Sequence, residues 1–253
     1  MPRFFVSEDQ FSDDTVILTG EDAHHIARSL RMAAGEHITV CDPSGLEFDC
    51  ELISFEQDKR VVAKVLSSKP SQNEPPYGAY LFQALPKGEK FDSIIQKAVE
   101  LGAAGIVPVE MKRCVVKLEE KKKKSRRERW QAIAESAAKQ SKRSRIPEVG
   151  EVLSYQAAMT MAGEMDLFLL PYENERGMAA TREALETIRP GMKVAILIGP
   201  EGGFDPKEVD KAVEKGARSI SLGRRILRTE TAAITAVGMC MLHIETNLGG
   251  EDA

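Results

Sequence analysis

The sequence predicts two unequal domains, a small β-barrel followed by a larger α/β domain with a mostly parallel sheet. The chain has 253 residues, more than one small domain needs at roughly 150 residues per domain. A polar segment with three prolines, Leu66 to Gly78, interrupts any helix or central strand. Before it, short apolar runs alternate with turn signals; after it, strand and helix patterns alternate. We therefore expect domains at 1–72 and 73–253.

The first domain is predicted from short strands bounded by turns. Between two of them, Glu21 to Met32 has helical spacing of apolar residues, which predicts one helix packed on the barrel. The predicted strands are Phe4–Val6, Val16–Leu18, Ile38–Cys41, Leu46–Phe55 and Val61–Leu66.

The second domain is predicted from alternating elements, which favour a parallel sheet covered on both faces. Its most strongly specified helix has Asp205 as N-cap, Pro206 in the first turn, Glu208 as capping-box partner and Gly216 at the end. Predicted strands are Tyr80–Leu85, Ile106–Val109, Asp166–Pro171, Lys193–Gly199 and Ser219–Leu222. The first predicted helix has its apolar face from Phe91 to Leu101, and the second covers the basic run. The others are Met178–Ile188, Pro206–Lys215 and a last helix that ends near His243.

Charge is distributed unevenly along the chain. The total is −4, yet residues 112–145 contain 14 Lys or Arg against 4 Glu. A concentrated basic stretch in an acidic protein is typical of a polyanion partner, although a solvated helix face explains it equally well. The first 70 residues carry 7 basic and 13 acidic residues, so we expect most phosphate attraction from the basic stretch.

Several function classes are disfavoured. No apolar stretch is long enough for a membrane span and no secretory signal is evident, so a cytoplasmic protein without a membrane partner is expected. The four cysteines have no CxxC spacing and are expected to be reduced, buried thiols. Adjacent His24 and His25 cannot chelate one metal as an i, i+4 pair would, and we expect no metal site. Walker, dinucleotide and nucleophile-elbow motifs are missing.

Three loops that follow predicted parallel strands are the candidate ligand site, because ligands collect beyond the carboxyl ends of such strands. A glycine-rich loop, Gly199 to Phe204, follows one strand; its alternative interpretation is a tight turn. A loop with three arginines in five positions, Arg224 to Arg228, suits phosphate or carboxylate recognition. Glu173 follows the third strand and is either part of the site or a surface glutamate.

Four motifs in order give the chain a resemblance to a known family. They are Leu85-Pro86-Lys87-Gly88-Glu89-Lys90 with Ile94 to Gly102, Ala137-Ala138-Lys139-Gln140-Ser141, Leu197 to Phe204, and Leu222 to Ala232. Together they closely resemble the bacterial 16S ribosomal RNA uridine N3-methyltransferases of the SPOUT superfamily. One departure is Lys139, where the family more often has Glu, which argues against a catalytic role at this position.

The resemblance implies an N-terminal PUA-like barrel, a C-terminal trefoil-knotted α/β domain and a homodimer. It also implies S-adenosylmethionine as cofactor and 16S rRNA in the small ribosomal subunit as substrate, with no DNA partner. The implied cofactor-binding residues lie in the three loops: Leu170, Tyr172, Leu197, Ile198, Gly199, Pro200, Glu201, Gly202, Gly203, Ser221, Leu222, Gly223, Ile226, Leu227, Arg228, Thr231 and Ala232.

Chemistry at uracil N3 sets the catalytic expectations. N3 must lose a proton before it attacks a methyl group, so charge spreading to the uracil oxygens needs stabilisation. Arg228 is the candidate for that role, while Glu201 or Glu230 accepts the proton or holds Arg228. Candidate RNA contacts are Arg3, Arg28, Arg31, Lys87, Lys121, Lys122, Lys123, Lys124, Arg126, Arg127, Arg224 and Arg225.

Three rival functions remain open at this stage. The first is an RNA-binding ribosome-assembly factor without turnover, which loss of the glycines or the arginine loop would have favoured. The second is a SPOUT methyltransferase acting on a ribose 2′-hydroxyl or on transfer RNA. The third, a small-molecule Rossmann enzyme, is disfavoured because the dinucleotide fingerprint is missing.

Overall fold

The computed structural model describes residues 1–56 and 59–248. The chain forms two compact units, one comprising 1–74 with 138–146 and the other 75–137 with 147–253. The segment 138–146 was expected in the second domain, but it belongs to the first unit. Charged and polar contacts connect this segment to the rest of the first unit: the Glu74 carboxylate accepts hydrogen bonds from Arg143 Nη2 at 2.6 Å and from the Ser144 N–H at 2.9 Å.

The first unit is built on a six-stranded sheet in the order β1-β4-β5-β6-β3-β2. The strands are β1 (Arg3–Phe5), β2 (Phe11–Ser12), β3 (Thr15–Thr19), β4 (His37–Cys41), β5 (Leu46–Glu56) and β6 (Arg60–Pro70). β1 pairs with β4 in parallel, and the other pairings are antiparallel. Register shifts after Asp49 and after Leu52 interrupt the long β5–β6 ladder, which bends the hairpin.

The predicted helix of the first unit is shorter than expected and changes its winding. An α-helix, α1 (Gly20–His24), continues as one π-helical stretch, His25–Ser29. Its apolar residues Ala23 and Ile26 still pack into the core, together with Phe4, Leu18 and Ile38. The periodicity therefore identified the buried face, while the extra residue per turn left no signal in the sequence.

The second unit contains a seven-stranded sheet in which every observed pairing is parallel. The main path runs β10-β8-β7-β12-β11-β13, and β9 pairs with β8. Its strands are β7 (Gly78–Ala84), β8 (Gly105–Glu110), β9 (Glu148–Val149), β10 (Leu153–Ser154), β11 (Leu167–Pro171), β12 (Lys193–Ile198) and β13 (Arg218–Ile220).

Six helices accompany this sheet within the described residues. They are α2 (Lys90–Glu100), α3 (Glu120–Gln140), α4 (Tyr155–Gly163), α5 (Ala179–Leu185), α6 (Pro206–Glu214) and α7 (Thr229–Leu248). The sequence did not predict α4, whose Ser154 side chain caps the helix by accepting from the Ala157 N–H. Strands β11 and β12 are buried along nearly their whole length, as expected for strands covered on both faces.

Candidate active site

Three loops at the carboxyl ends of neighbouring strands line one cavity of about 780 Å³. They follow β11, β12 and β13, which are adjacent in the sheet order. The lining includes residues 171–176, 198–204 and 221–229, together with Lys90 and Ala232. The edge of the sheet that was predicted from strand alternation therefore carries a candidate ligand site.

The loop after β12 is held by close backbone contacts. Gly203 has φ of 67°, and a Cβ there would lie 2.7 Å from Glu173 Oε1. At Gly199 a Cβ would lie 2.9 Å from the Phe204 ring, which in turn packs edge-on against Tyr172. Glycine therefore lets the backbone approach the Phe204 ring at position 199 and the Glu173 carboxylate at position 203.

A buried threonine joins this loop to the sheet. Thr229 Oγ1 donates to the Gly199 carbonyl oxygen at 2.7 Å and accepts from Gln83 Nε2 at 3.0 Å. Both side chains are buried, and Gln83 is the last residue but one of β7. Thr229 therefore connects three elements beside the cavity: β7 through Gln83, the loop after β12 through Gly199, and α7, of which it is the first residue.

The loop after β13 is fixed in a comparable way. Thr181 Oγ1 donates to the Ser221 carbonyl oxygen and accepts from the Ser221 N–H, both at 2.9 Å. Thr181 lies on α5 and is 1% exposed. Since a buried peptide unit needs both partners, one hydroxyl here satisfies the donor and the acceptor of a loop residue.

The start of α6 is stabilised from the loop after β8. Asp205 caps α6 with the predicted capping box, and Lys112 Nζ lies 2.6 Å from Asp205 Oδ2. The hydrogen bond from Lys112 lowers the pKa of Asp205. Arg113 Nη1 donates to the Gly202 carbonyl oxygen at 3.1 Å. Two residues of the basic stretch therefore hold the glycine loop.

Two carboxylates flank one lysine beside the cavity. Lys90 Nζ lies 3.4 Å from Glu201 Oε1 and 3.3 Å from Glu230 Oε2, and Glu201 Oε1 also accepts from the Lys87 N–H at 3.0 Å. Burial raises the pKa of Glu201, but the hydrogen bonds from Lys87 and Lys90 outweigh it and leave this pKa lowered. Glu201 is therefore held in its ionised form.

The comparisons with known proteins agree with this geometry. Family profiles for an RNA methyltransferase domain and an RNA methyltransferase PUA domain match residues 73–241 and 18–66. The chain is 37% identical over 257 residues to ribosomal RNA small subunit methyltransferase E of Bacillus subtilis, covering 99% of this chain and 100% of the relative. The chain belongs to the ribosomal RNA small subunit methyltransferase E family. The predicted resemblance is thereby confirmed.

Solved structures give the same result for this methyltransferase E chain. A methyltransferase E from Neisseria gonorrhoeae, bound to S-adenosyl methionine, is 32% identical with a TM-score of 0.82 and full coverage of both chains. A methyltransferase from Legionella pneumophila in complex with the same cofactor is 30% identical, with a TM-score of 0.82 and coverage of 95% and 96%. These similarities confirm the α/β fold with a PUA-type N-terminal part.

Most cofactor-binding residues predicted for this methyltransferase E chain line the cavity, and three do not. Leu170 and Leu197 are buried within β11 and β12, and Thr231 is exposed on α7. The lining members are Tyr172, Ile198, Gly199, Pro200, Glu201, Gly202, Gly203, Ser221, Leu222, Gly223, Ile226, Leu227, Arg228 and Ala232. The structure adds Lys90, Pro171, Glu173, Asn174, Glu175, Arg176, Phe204 and Thr229, and also Arg224 and Arg225 from the predicted RNA set.

The predicted RNA contacts differ in how exposed their side chains are. The Arg3 side chain is 8% exposed and pairs with Glu47 at 2.8 Å, so it stabilises the first unit. Lys123 pairs with Glu110 and Glu120, and Arg127 pairs with Glu148. Exposed members are Arg28, Arg31, Lys87, Lys121, Lys122, Lys124, Arg126, Arg224 and Arg225, of which Lys122 contacts Glu119 at 3.6 Å.

The cysteines, the apolar helices, the metal-ligating side chains and Lys139 were also subjects of sequence predictions. Cys41, Cys50, Cys114 and Cys240 are buried free thiols, and burial raises the pKa of Cys41 to about 11. No helix in the described ranges is long and apolar enough to cross a bilayer. Within 1–56 and 59–248, no cluster of His, Cys, Asp and Glu suits a metal ion. Lys139 pairs with Asp22 at 3.1 Å, inside the first unit.

Proposed function

We propose that this protein uses S-adenosylmethionine to methylate uracil N3 of one uridine in the 16S rRNA of the small ribosomal subunit. The observation that carries the proposal is the cavity formed by the loops after β11, β12 and β13, in a chain whose relatives are named for small-subunit rRNA methylation. The glycine and arginine loops, whose loss would have favoured an assembly factor without turnover, are both present.

The cavity fits the proposed cofactor. Backbone of the glycine loop lines one wall without Cβ atoms at Gly199, Gly202 and Gly203, and the Glu173 carboxylate lies beside Gly203. A glycine-rich backbone that a ligand can approach closely and an acidic side chain suit a ligand that carries both a carboxylate and positive charge. When bound, S-adenosylmethionine supplies a methyl group on a positively charged sulfur.

The chain's own residues contribute positioning and electrostatics. In paired RNA, uracil N3 is hydrogen-bonded, so the target base must be unpaired or flipped out to reach the cavity. Arg228 is exposed, lines the cavity and forms no side-chain hydrogen bond or ion pair within the described residues, so its guanidinium is free to stabilise charge on the uracil oxygens. Glu201 is held ionised by Lys87 and Lys90, and these contacts fix the loop after β12.

RNA attraction is assigned to the exposed cations of α3 and of the loop after β13. Lys121, Lys122, Lys124 and Arg126 extend from the first two turns of α3 into solvent, and Arg224 and Arg225 line the cavity. Each phosphate that they neutralise releases counterions, which makes the affinity salt-dependent. In the first unit, Arg28 and Arg31 are the exposed candidates.

Three further properties belong to the same proposal. We infer from the family resemblance that the loops of the second unit form a trefoil knot and that two copies associate as a homodimer. We also propose that the protein acts in the cytoplasm, as the proposed ribosomal substrate requires. Light scattering coupled to size-exclusion chromatography tests the dimer directly, with a mass near 56 kDa expected for two chains of 27.9 kDa.

The decisive experiment combines purified protein, labelled S-adenosylmethionine and small ribosomal subunits from cells that lack the gene. Nucleoside mass spectrometry should detect 3-methyluridine at one rRNA position. A methylated ribose or another methylated base would identify a different specificity. Demonstrated cofactor binding without methyl transfer to subunits or free rRNA would contradict the proposal and favour an assembly factor.

A further inference from the structure

Lys90 occupies an unusual place for a cation. It is the first residue of α2, and its side chain is 34% exposed at the cavity wall. The positive end of a helix dipole disfavours an ammonium group there. Carboxylates from two other elements offset this cost, because Glu201 follows β12 and Glu230 lies in the first turn of α7.

The two carboxylates are themselves arranged around the ammonium group. Glu230 Oε2 is buried and has no hydrogen-bond partner among the described residues, so Lys90 Nζ at 3.3 Å is the cation that compensates its charge. Glu201 lines the cavity beside Lys90, whereas Glu230 is not part of the lining. Lys90 therefore places its ammonium group at the cavity wall, in contact with both carboxylates.

We propose that Lys90 is a further catalytic residue, whose ammonium group stabilises the negative charge on the uracil oxygens as N3 loses its proton. This inference rests on the proposed function. In that reaction the N3–H bond breaks and the proton passes to solvent. The N3 electron pair forms the bond to the methyl carbon. The bond between that carbon and sulfur breaks, and its electron pair stays on sulfur, which becomes a neutral thioether.

Glu201 and Glu230 become positioning residues in this arrangement. Each acts through Lys90. Glu201 contacts the Lys90 ammonium group and also accepts from the Lys87 backbone N–H, and Glu230 contacts the same ammonium group. The other charged groups at the cavity wall are Glu173, Glu175, Arg176, Arg224, Arg225 and Arg228. On its own helix, the nearest acidic side chain, Asp92, is paired with Arg129.

The test compares Lys90→Met and Lys90→Arg with a matched control, Lys97→Met. Lys97 is on the same helix and pairs with Glu100 at 2.7 Å. Single-turnover methylation of unmodified small subunits is measured against pH at saturating S-adenosylmethionine, and calorimetry gives the cofactor affinity. We expect Lys90→Met to lower the rate constant about 100- to 1000-fold, Lys90→Arg to regain part of it, and Lys97→Met to match the wild type.

The pH profile separates catalysis from loop positioning. The rate rises with pH as N3 loses its proton, and a nearby cation favours that loss. Without the Lys90 ammonium group, the dependence of the rate constant on pH should move to higher pH by about one to three units in Lys90→Met. The cofactor affinity should stay unchanged. A rate loss without this displacement, or a loss confined to cofactor affinity, would overturn the proposal. Failure of the wild type to form methylated uridine would instead refute the proposed function.

Folding is checked independently by circular dichroism and thermal unfolding. If Lys90→Met does not fold, Lys90→Gln, which retains a hydrogen-bond donor without charge, replaces it in the same comparison. A Gln variant with wild-type rate and pH profile would contradict the charge-stabilisation role. Glu201→Gln should lower the rate while keeping the direction of the pH dependence, because Lys90 remains charged.

Discussion

Replacing Thr229 with valine removes a hydroxyl while nearly conserving side-chain volume. That hydroxyl donates to Gly199 O at 2.7 Å and accepts from Gln83 Nε2 at 3.0 Å, and Thr229 is 6% exposed. Two hydrogen bonds of about 1 kcal/mol each are lost, and a buried donor and acceptor remain without partners. The expected destabilisation is about 2 to 4 kcal/mol.

Thermal unfolding measures this effect directly. At roughly 2 to 4 °C per kcal/mol for a unit of this size, Thr229→Val should lower Tm by roughly 4 to 16 °C. The matched control is Thr246→Val on the same helix, where the exposed hydroxyl donates only to the backbone one turn earlier. Thr229→Ser retains the hydroxyl and should recover most of the loss. Equal Tm values for the valine variants at 229 and 246 would refute the reasoning.

Three further predictions follow from described contacts. Burial raises the pKa of Glu47, but hydrogen bonds from Arg3 and Ser71 outweigh it and leave this pKa lowered. Glu47→Gln should therefore reduce the free energy of unfolding at neutral pH. It should also abolish the part of the stability loss that the wild type shows as pH falls through the folded pKa of Glu47, which urea unfolding at several pH values measures. Gly203→Ala should weaken cofactor binding more than Gly216→Ala, since both have positive φ but only Gly203 faces a carboxylate at 2.7 Å; calorimetry and Tm test this, and equal effects would exclude the clash. Replacing the lysines of 121–124 by alanine should weaken subunit binding and reduce its salt dependence, without changing cofactor affinity; an unchanged salt slope would remove the run from the interface.

The parts of the fold that the sequence predicted are those with local causes. Asp205, Pro206 and Glu208 specify the start of α6 through capping, and the structure has the helix there. The apolar run before Gly199 predicted a buried strand, and β12 ends at Ile198. Parallel strands then placed three candidate loops at one edge, because this arrangement follows from connectivity and needs no side-chain detail.

What the sequence could not predict depends on partners distant along the chain. Arg3 was a candidate RNA contact as part of a basic cluster with Arg28 and Arg31, but its guanidinium pairs with Glu47, 44 residues later in the chain. Gln83 and Thr181 hold the site loops through hydrogen bonds over 146 and 40 residues. Lys90 gave one local signal that could have been used, a lysine at a helix start, where the dipole opposes it.

The composition of the first unit bears on how the protein is made. Its Glu74 carboxylate finds Arg143 and Ser144, which lie 69 and 70 residues later in the chain, only after that stretch has been synthesised. At about 5 to 20 residues per second, the ribosome needs roughly 4 to 14 seconds for that stretch. The first unit therefore stays incomplete while strands β7 and β8 of the second unit are synthesised. A fragment that stops at Glu74 lacks a segment of the same compact unit. An expression clone of this unit has to carry residues 138–146, joined to it by a linker.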